Sequence, residues 1–98
     1  MRLLVTPSFV RATKRLHAPQ KLELDAALRA ISANPSLGEA KVGDLAGIRV
    51  YKFRLSNQLC LLAYRVVDAQ SLKLLTLKII LVWLLDLPHV TLVARTAS

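Results

Sequence analysis

The sequence predicts an α+β domain, in which an antiparallel sheet packs against an N-terminal helical hairpin in the order β-α-α-β-β-β. Three observations lead there. Apolar residues recur at helical spacing between Phe9 and Ile31, and they alternate with basic residues from Arg49 to Leu55. Ser56-Asn57 then stands as a two-residue turn before a second, largely apolar run. At 98 residues the chain is expected to build one core and one domain, 1–98.

The elements follow in order. Arg2 to Thr6 reads as a short strand with Leu3 and Val5 on one face. Pro7-Ser8 stops it, and the Ser8 hydroxyl is expected to cap a helix. In that helix Phe9, Thr13 and Leu16 share a face, with Arg11, Lys14 and Arg15 turned outward. Pro19 suits the first turn of a second helix, where its missing N–H has no partner to lose. Leu24, Ala27, Leu28 and Ile31 form its i, i+3, i+4, i+7 stripe. Asn34-Pro35 ends it, because the residue before proline is pushed out of the helical region.

Turn residues fill Pro35 to Gly47, and strands are expected at Ile48 to Leu55, Gln58 to Val67 and Leu72 to Leu77. Asp68-Ala69-Gln70-Ser71 turns the chain between the last two. In the first of these strands Ile48 and Val50 are even whereas Tyr51, Phe53 and Leu55 are odd. A bulge or a late strand start is expected at that slip of phase.

Fourteen Lys and Arg against six Asp and Glu give a net charge of +8, which favours a polyanionic partner: nucleic acid, an acidic protein or an anionic surface. The cations are dispersed and form no tail. Cys60 is alone, which excludes an internal disulfide and fits a reducing, cytoplasmic setting. It sits in an apolar strand and reads as a small core residue. His17 and His89 have no companion at ligand spacing, so neither a metal nor a cofactor is expected.

The start, MRLLVTPSF, lacks the apolar core and cleavage site of a signal peptide. The apolar run from Ile79 to Leu85 is bracketed by Lys78 and Asp86 and is far short of the roughly 20 residues that span a bilayer. No membrane role is expected.

No Ser-His-Asp set, carboxylate pair or glycine-rich phosphate loop is present. What remains is cation-driven chemistry on phosphate. RNA carries its own nucleophile, the 2′-hydroxyl, so aligning it and stabilising phosphorane charge suffices for cleavage. Arginine matches phosphate oxygens and stays protonated, and a tyrosine or lysine can assist proton transfer. The catalytic candidates are Arg49, Tyr51, Lys52 and Arg54, with Lys41 and Arg65 as RNA contacts. Residue types alone also allow a solvated strand or a surface for an acidic partner.

One stretch carries a family resemblance. Gly43-Asp44-Leu45-Ala46-Gly47 leads into Arg49-Val50-Tyr51-Lys52-Phe53-Arg54 and then Leu61-Leu62-Ala63-Tyr64-Arg65-Val66. With Pro7-Ser8-Phe9, Leu16 and Asn34-Pro35 upstream, this resembles the RelE/ParE superfamily of toxins from Met1 to about Leu77. The resemblance implies a bacterial type II toxin neutralised by a cognate antitoxin, with two helices packed on an antiparallel sheet. RelE-like members cut mRNA on the ribosome, and the resemblance places Arg49, Lys52 and Arg54 on that substrate face. ParE-like members instead poison DNA gyrase. A third reading keeps the toxin fold as a binding protein without catalysis.

Two departures stand out. Matching the family's tyrosine to Tyr64 puts Leu61 where RelE itself carries an arginine, a residue that related toxins replace with other groups. Close relatives also continue into a polar segment with a histidine or tyrosine for proton transfer, but residues 78–98 here form a divergent, apolar tail. The surroundings of His89 do not match that segment. Within the tail, Trp83 reads as an interface anchor or as ordinary core.

Overall fold

Thr6, not Ser8, starts the first helix. In a computed structural model, which describes residues 1–80, the Thr6 backbone is extended and its hydroxyl accepts from the Phe9 N–H at 3.2 Å. Pro7 takes the first helical position, where φ near −65° is already helical, and this sets the cap one residue before it. The same hydroxyl donates to the Leu75 carbonyl at 2.6 Å, so one side chain joins helix to sheet.

The chain runs through β1 (Arg2–Val5), α1 (Pro7–Lys14) and α2 (Ala18–Ala33), and then β2 (Glu39–Ala40), β3 (Ile48–Leu55), β4 (Gln58–Asp68) and β5 (Ser71–Ile80). Single 3₁₀ turns lie at Pro35–Leu37 and Gly43–Leu45. α2 ends at Asn34 as its Asn-Pro sequence requires, and the Asn34 side chain then accepts from the Ser36 N–H at 3.2 Å.

The strands form one sheet in the order β1-β5-β4-β3-β2. It is α+β as expected, but mixed: β1 pairs parallel with β5, from Arg2↔Ser71 to Val5↔Leu74. β2, only two residues long, carries no periodicity and was not legible among the turn residues. Lys78, Ile79 and Ile80, at the head of the divergent tail, belong to β5. Trp83 and His89 lie outside the described residues.

Neither the bulge nor the late start expected in β3 is present, since the strand runs from Ile48 to Leu55. β3 pairs with β4 without a slip from Ile48↔Arg65 to Leu55↔Gln58. The slips fall instead between β4 and β5, after Ala63 and after Val66. The phase change in β3 has another cause: both faces of the strand are partly apolar. Tyr51, Phe53 and Leu55 face the helices, whereas Ile48 and Val50 sit half-buried on the opposite, outer face.

Phe9, Leu16, Leu24 and Ile31 pack against Leu55, Cys60, Leu62, Tyr64, Leu72, Leu74 and Leu77 as one core, with Leu28, Tyr51 and Phe53 at its margin. Burying each large apolar side chain is worth about 1.5–3 kcal/mol. Cys60 is wholly buried, and burial pushes its thiol up to about 11, which makes it an inert core residue. Among the described residues no helix is long and apolar enough to cross a membrane.

Candidate nucleic-acid interface

The pairing register divides the sequence-predicted residues between two faces. Opposed residues in a ladder share a face, so Lys52 and Arg54, paired with Leu61 and Leu59, lie on the outer face away from the helices. Both are exposed. Arg49 and Tyr51, paired with the buried Tyr64 and Leu62, lie on the helix side. The structure therefore brings Lys52 and Arg54 together and separates them from Arg49 and Tyr51.

Arg49 is engaged in holding the chain. Its Nη1 donates to the Gly38 carbonyl at 2.6 Å and to the Ser36 carbonyl at 3.3 Å. Beside it the Tyr64 hydroxyl accepts from the Gly38 N–H at 2.9 Å and donates to the Pro35 carbonyl at 2.5 Å. A Cβ on residue 38 would stand 2.6 Å from the Tyr64 hydroxyl oxygen, so only glycine fits there. Tyr51 stacks on Phe53 with ring centroids 5.9 Å apart.

On the outer face the register continues into β5 as Lys52↔Leu61↔Lys78 and Arg54↔Leu59↔Ile80. Lys78 is exposed and stands two strand spacings from Lys52, about 10 Å, with Leu61 between them. Sequence reasoning had assigned Lys78 to the tail and missed it. Its signal lay in continuing the strand past Leu77, which puts Lys78 on the face of Lys52. Leu61 is thus flanked by lysines on both neighbouring strands.

Lys41 reaches the same face by another route. Its Nζ lies 3.0 Å from Glu39 Oε1, and Glu39 is paired with Val50 on the outer face. The hydrogen bond and charge of Lys41, with the charge of Lys52, hold the Glu39 carboxyl below its ordinary range. Arg65 is exposed at the far end of the sheet, paired with Ile48 and Lys73 and lying over Gly47. Six residues along β3 separate that end from Arg54, about 20 Å. Among the described residues no cluster of His, Cys, Asp or Glu could hold a metal.

The arrangement is one of exposed cations over a half-buried aliphatic floor of Val50, Leu59, Leu61 and Ala63. It offers charge to phosphates, and the Glu39 carboxylate near Lys52 is already paired with Lys41.

Known proteins give a consistent picture of this fold. Residues 3–80 match the family described as ParE-like toxin of type II bacterial toxin–antitoxin system. A chain of the intact E. coli RelBE toxin–antitoxin complex superposes with a TM-score of 0.63 at 17% identity, over 78% of this chain and 92% of that one. No curated protein matches the sequence.

Proposed function

The chain belongs to the ParE-like toxins of type II bacterial toxin–antitoxin systems, and on that premise we propose that it is a ribosome-dependent mRNA endoribonuclease acting through its outer sheet face. What supports this reading is the grouping of Lys52, Arg54 and Lys78 as exposed cations on one rigid face. On this reading the three side chains hold the phosphates on either side of the cleaved bond. The RNA 2′-hydroxyl attacks phosphorus and loses its proton to solvent. The P–O5′ bond breaks to leave a 2′,3′-cyclic phosphate and a 5′-hydroxyl protonated from solvent, and the cations stabilise charge on the phosphorane. Arg49 acts indirectly, by fixing the loop from Pro35 to Gly38 against the start of β3. A cognate antitoxin is the second partner, as in the complex of the structural neighbour, and the ribosomal target places the protein in the cytoplasm.

The test is mRNA cleavage in a reconstituted translation system with the purified chain. Cuts at decoding sites are expected, and Lys52→Ala or Arg54→Ala should lower the rate about 100-fold with folding unchanged. No cleavage by folded protein, beside an active family member, would overturn the reading. One observation favours the alternatives in that event: Tyr51, the candidate for proton transfer, faces the helices. A binding-only protein would hold its antitoxin and leave translation intact. A gyrase inhibitor would damage DNA while protein synthesis continued.

A further inference from the structure

Arg49 and Arg65 take no part in the outer-face grouping of Lys52, Arg54 and Lys78. Both lie at the opposite end of the sheet, where β3 begins. They are diagonal neighbours on adjacent strands, since Arg49 pairs with Tyr64 and Arg65 with Ile48. At this end a cleft of about 520 Å³ opens between the loop after α2, the start of β3 and Val66 of β4. That volume is within the range of roughly 300–1,000 Å³ found for sites that hold small molecules.

One side of the cleft is cationic. Arg49 lines it, half-buried, with its Nη1 donating to the Gly38 and Ser36 carbonyls. Those bonds orient the guanidinium, and its Nε and Nη2 donors have no partner among the described residues. Arg65 reaches the cleft at Gly47, where its Nη1 lies 3.6 Å from the place a Cβ would take. Among the described residues neither arginine is paired with a carboxylate, and no carboxylate lines the cleft. The Ser36 side chain adds a neutral hydroxyl. Pro35, Ala40, Ile48 and Val66 make the rest of the lining apolar.

We propose that this cleft binds a nucleoside monophosphate, its phosphate held by Arg49 and Arg65 and its base laid against Pro35 and Val66. Two guanidinium groups supply two charges, which a phosphate monoester, at about −2, matches. A singly charged carboxylate or phosphodiester leaves one of them unanswered. The apolar side suits a flat base, whereas a sugar phosphate would set hydroxyls against a wall that offers them no partner. A free nucleotide and the 5′-phosphate end of an RNA present the same group. The site lies about 20 Å along the sheet from Arg54, and the proposal does not draw on RNA cleavage.

The experiment is an NMR titration of the isotope-labelled full chain with adenosine 5′-monophosphate, adenosine and inorganic phosphate. The monophosphate should shift the amides of Ser36, Gly47, Arg49 and Val66 and leave those of Lys52 and Arg54 in place. Adenosine and inorganic phosphate should each bind about tenfold more weakly. Arg65→Ala, at an exposed position, should weaken the monophosphate about tenfold, and Arg65→Lys should recover part of the loss. Val66→Glu, which sets a carboxylate in the cleft, should abolish binding. Arg29→Ala removes the same unit of charge from α2 and should change nothing. A 5′-phosphorylated RNA trinucleotide that binds as tightly as the monophosphate, beside a weaker 5′-hydroxyl control, assigns the site to RNA ends. Weaker binding of both trinucleotides assigns it to free nucleotides. Equal affinity for adenosine and the monophosphate would overturn the proposal, as would equal affinity for inorganic phosphate. Shifts centred on Lys52 and Arg54, or equal losses in the Arg65→Ala and Arg29→Ala proteins, would overturn it too.

Discussion

Tyr64 binds the loop after α2 to the centre of the sheet. Its ring is fully buried, and its hydroxyl is the partner of both the Gly38 N–H and the Pro35 carbonyl. Tyr64→Phe removes those bonds without changing the ring, and it strands the Gly38 N–H beneath the sheet. The expected cost is about 1–3 kcal/mol, read as a lower midpoint in urea with an unchanged slope. Gly38→Ala should cost more, because its new methyl meets the tyrosine oxygen head-on. Tyr64 was visible in the sequence as the family's tyrosine, and so was Arg49 as a basic residue near it. Their joint task was not visible. It depends on the register Arg49↔Tyr64, which sets the guanidinium and the phenol on one face against the same loop. Alternation alone put Lys52 with Arg54 correctly, yet the catalytic grouping added Arg49 and Tyr51 from the odd-numbered face.

At the scale of elements, the β3–β4 hairpin was the most legible unit because its information is local. Ser56 and Asn57 have φ of 51° and 67°, the left-handed pair that a two-residue turn of this hand demands. Asparagine tolerates that region and serine does so less well. Replacing the pair by Asn-Gly, as Ser56→Asn with Asn57→Gly, keeps the N–H that donates to Glu23 and relieves the backbone. It should stabilise the domain by about 1 kcal/mol and raise the melting temperature by about 4–8 °C. An unchanged melting temperature would mean that the side chains lost there contribute as much as the strain relieved. The pairing of β1 with β5 was not legible, since it joins residues 69 apart, as in Arg2 and Ser71. No local pattern records a parallel partner. The bulge was misplaced for a related reason: apolar residues on both faces of β3 imitate a slip of phase.

For the whole molecule, a net charge of +8 attracts any polyanion, so binding to RNA is by itself weak evidence for a site. What separates a site from a general field is how the salt dependence is distributed over residues. If Lys52, Arg54 and Lys78 each neutralise a phosphate of a single strand, the logarithm of affinity should fall with the logarithm of salt with a slope of about −2, at ~0.7 per phosphate. Between about 50 and 200 mM salt that is a loss of roughly 20-fold. Alanine at any one of the three should make the slope shallower by about 0.7. Arg29 is the matched control, since its guanidinium lies 2.8 Å from Asp25 on α2, in the helical layer behind the sheet. Arg29→Ala removes the same unit of net charge and should leave the slope unchanged. Titrating a labelled RNA oligonucleotide at several salt concentrations measures all five proteins. Equal slopes for the Lys52 and Arg29 variants would mean that RNA senses only the overall field, and that the outer face is no more an RNA site than the rest of the surface.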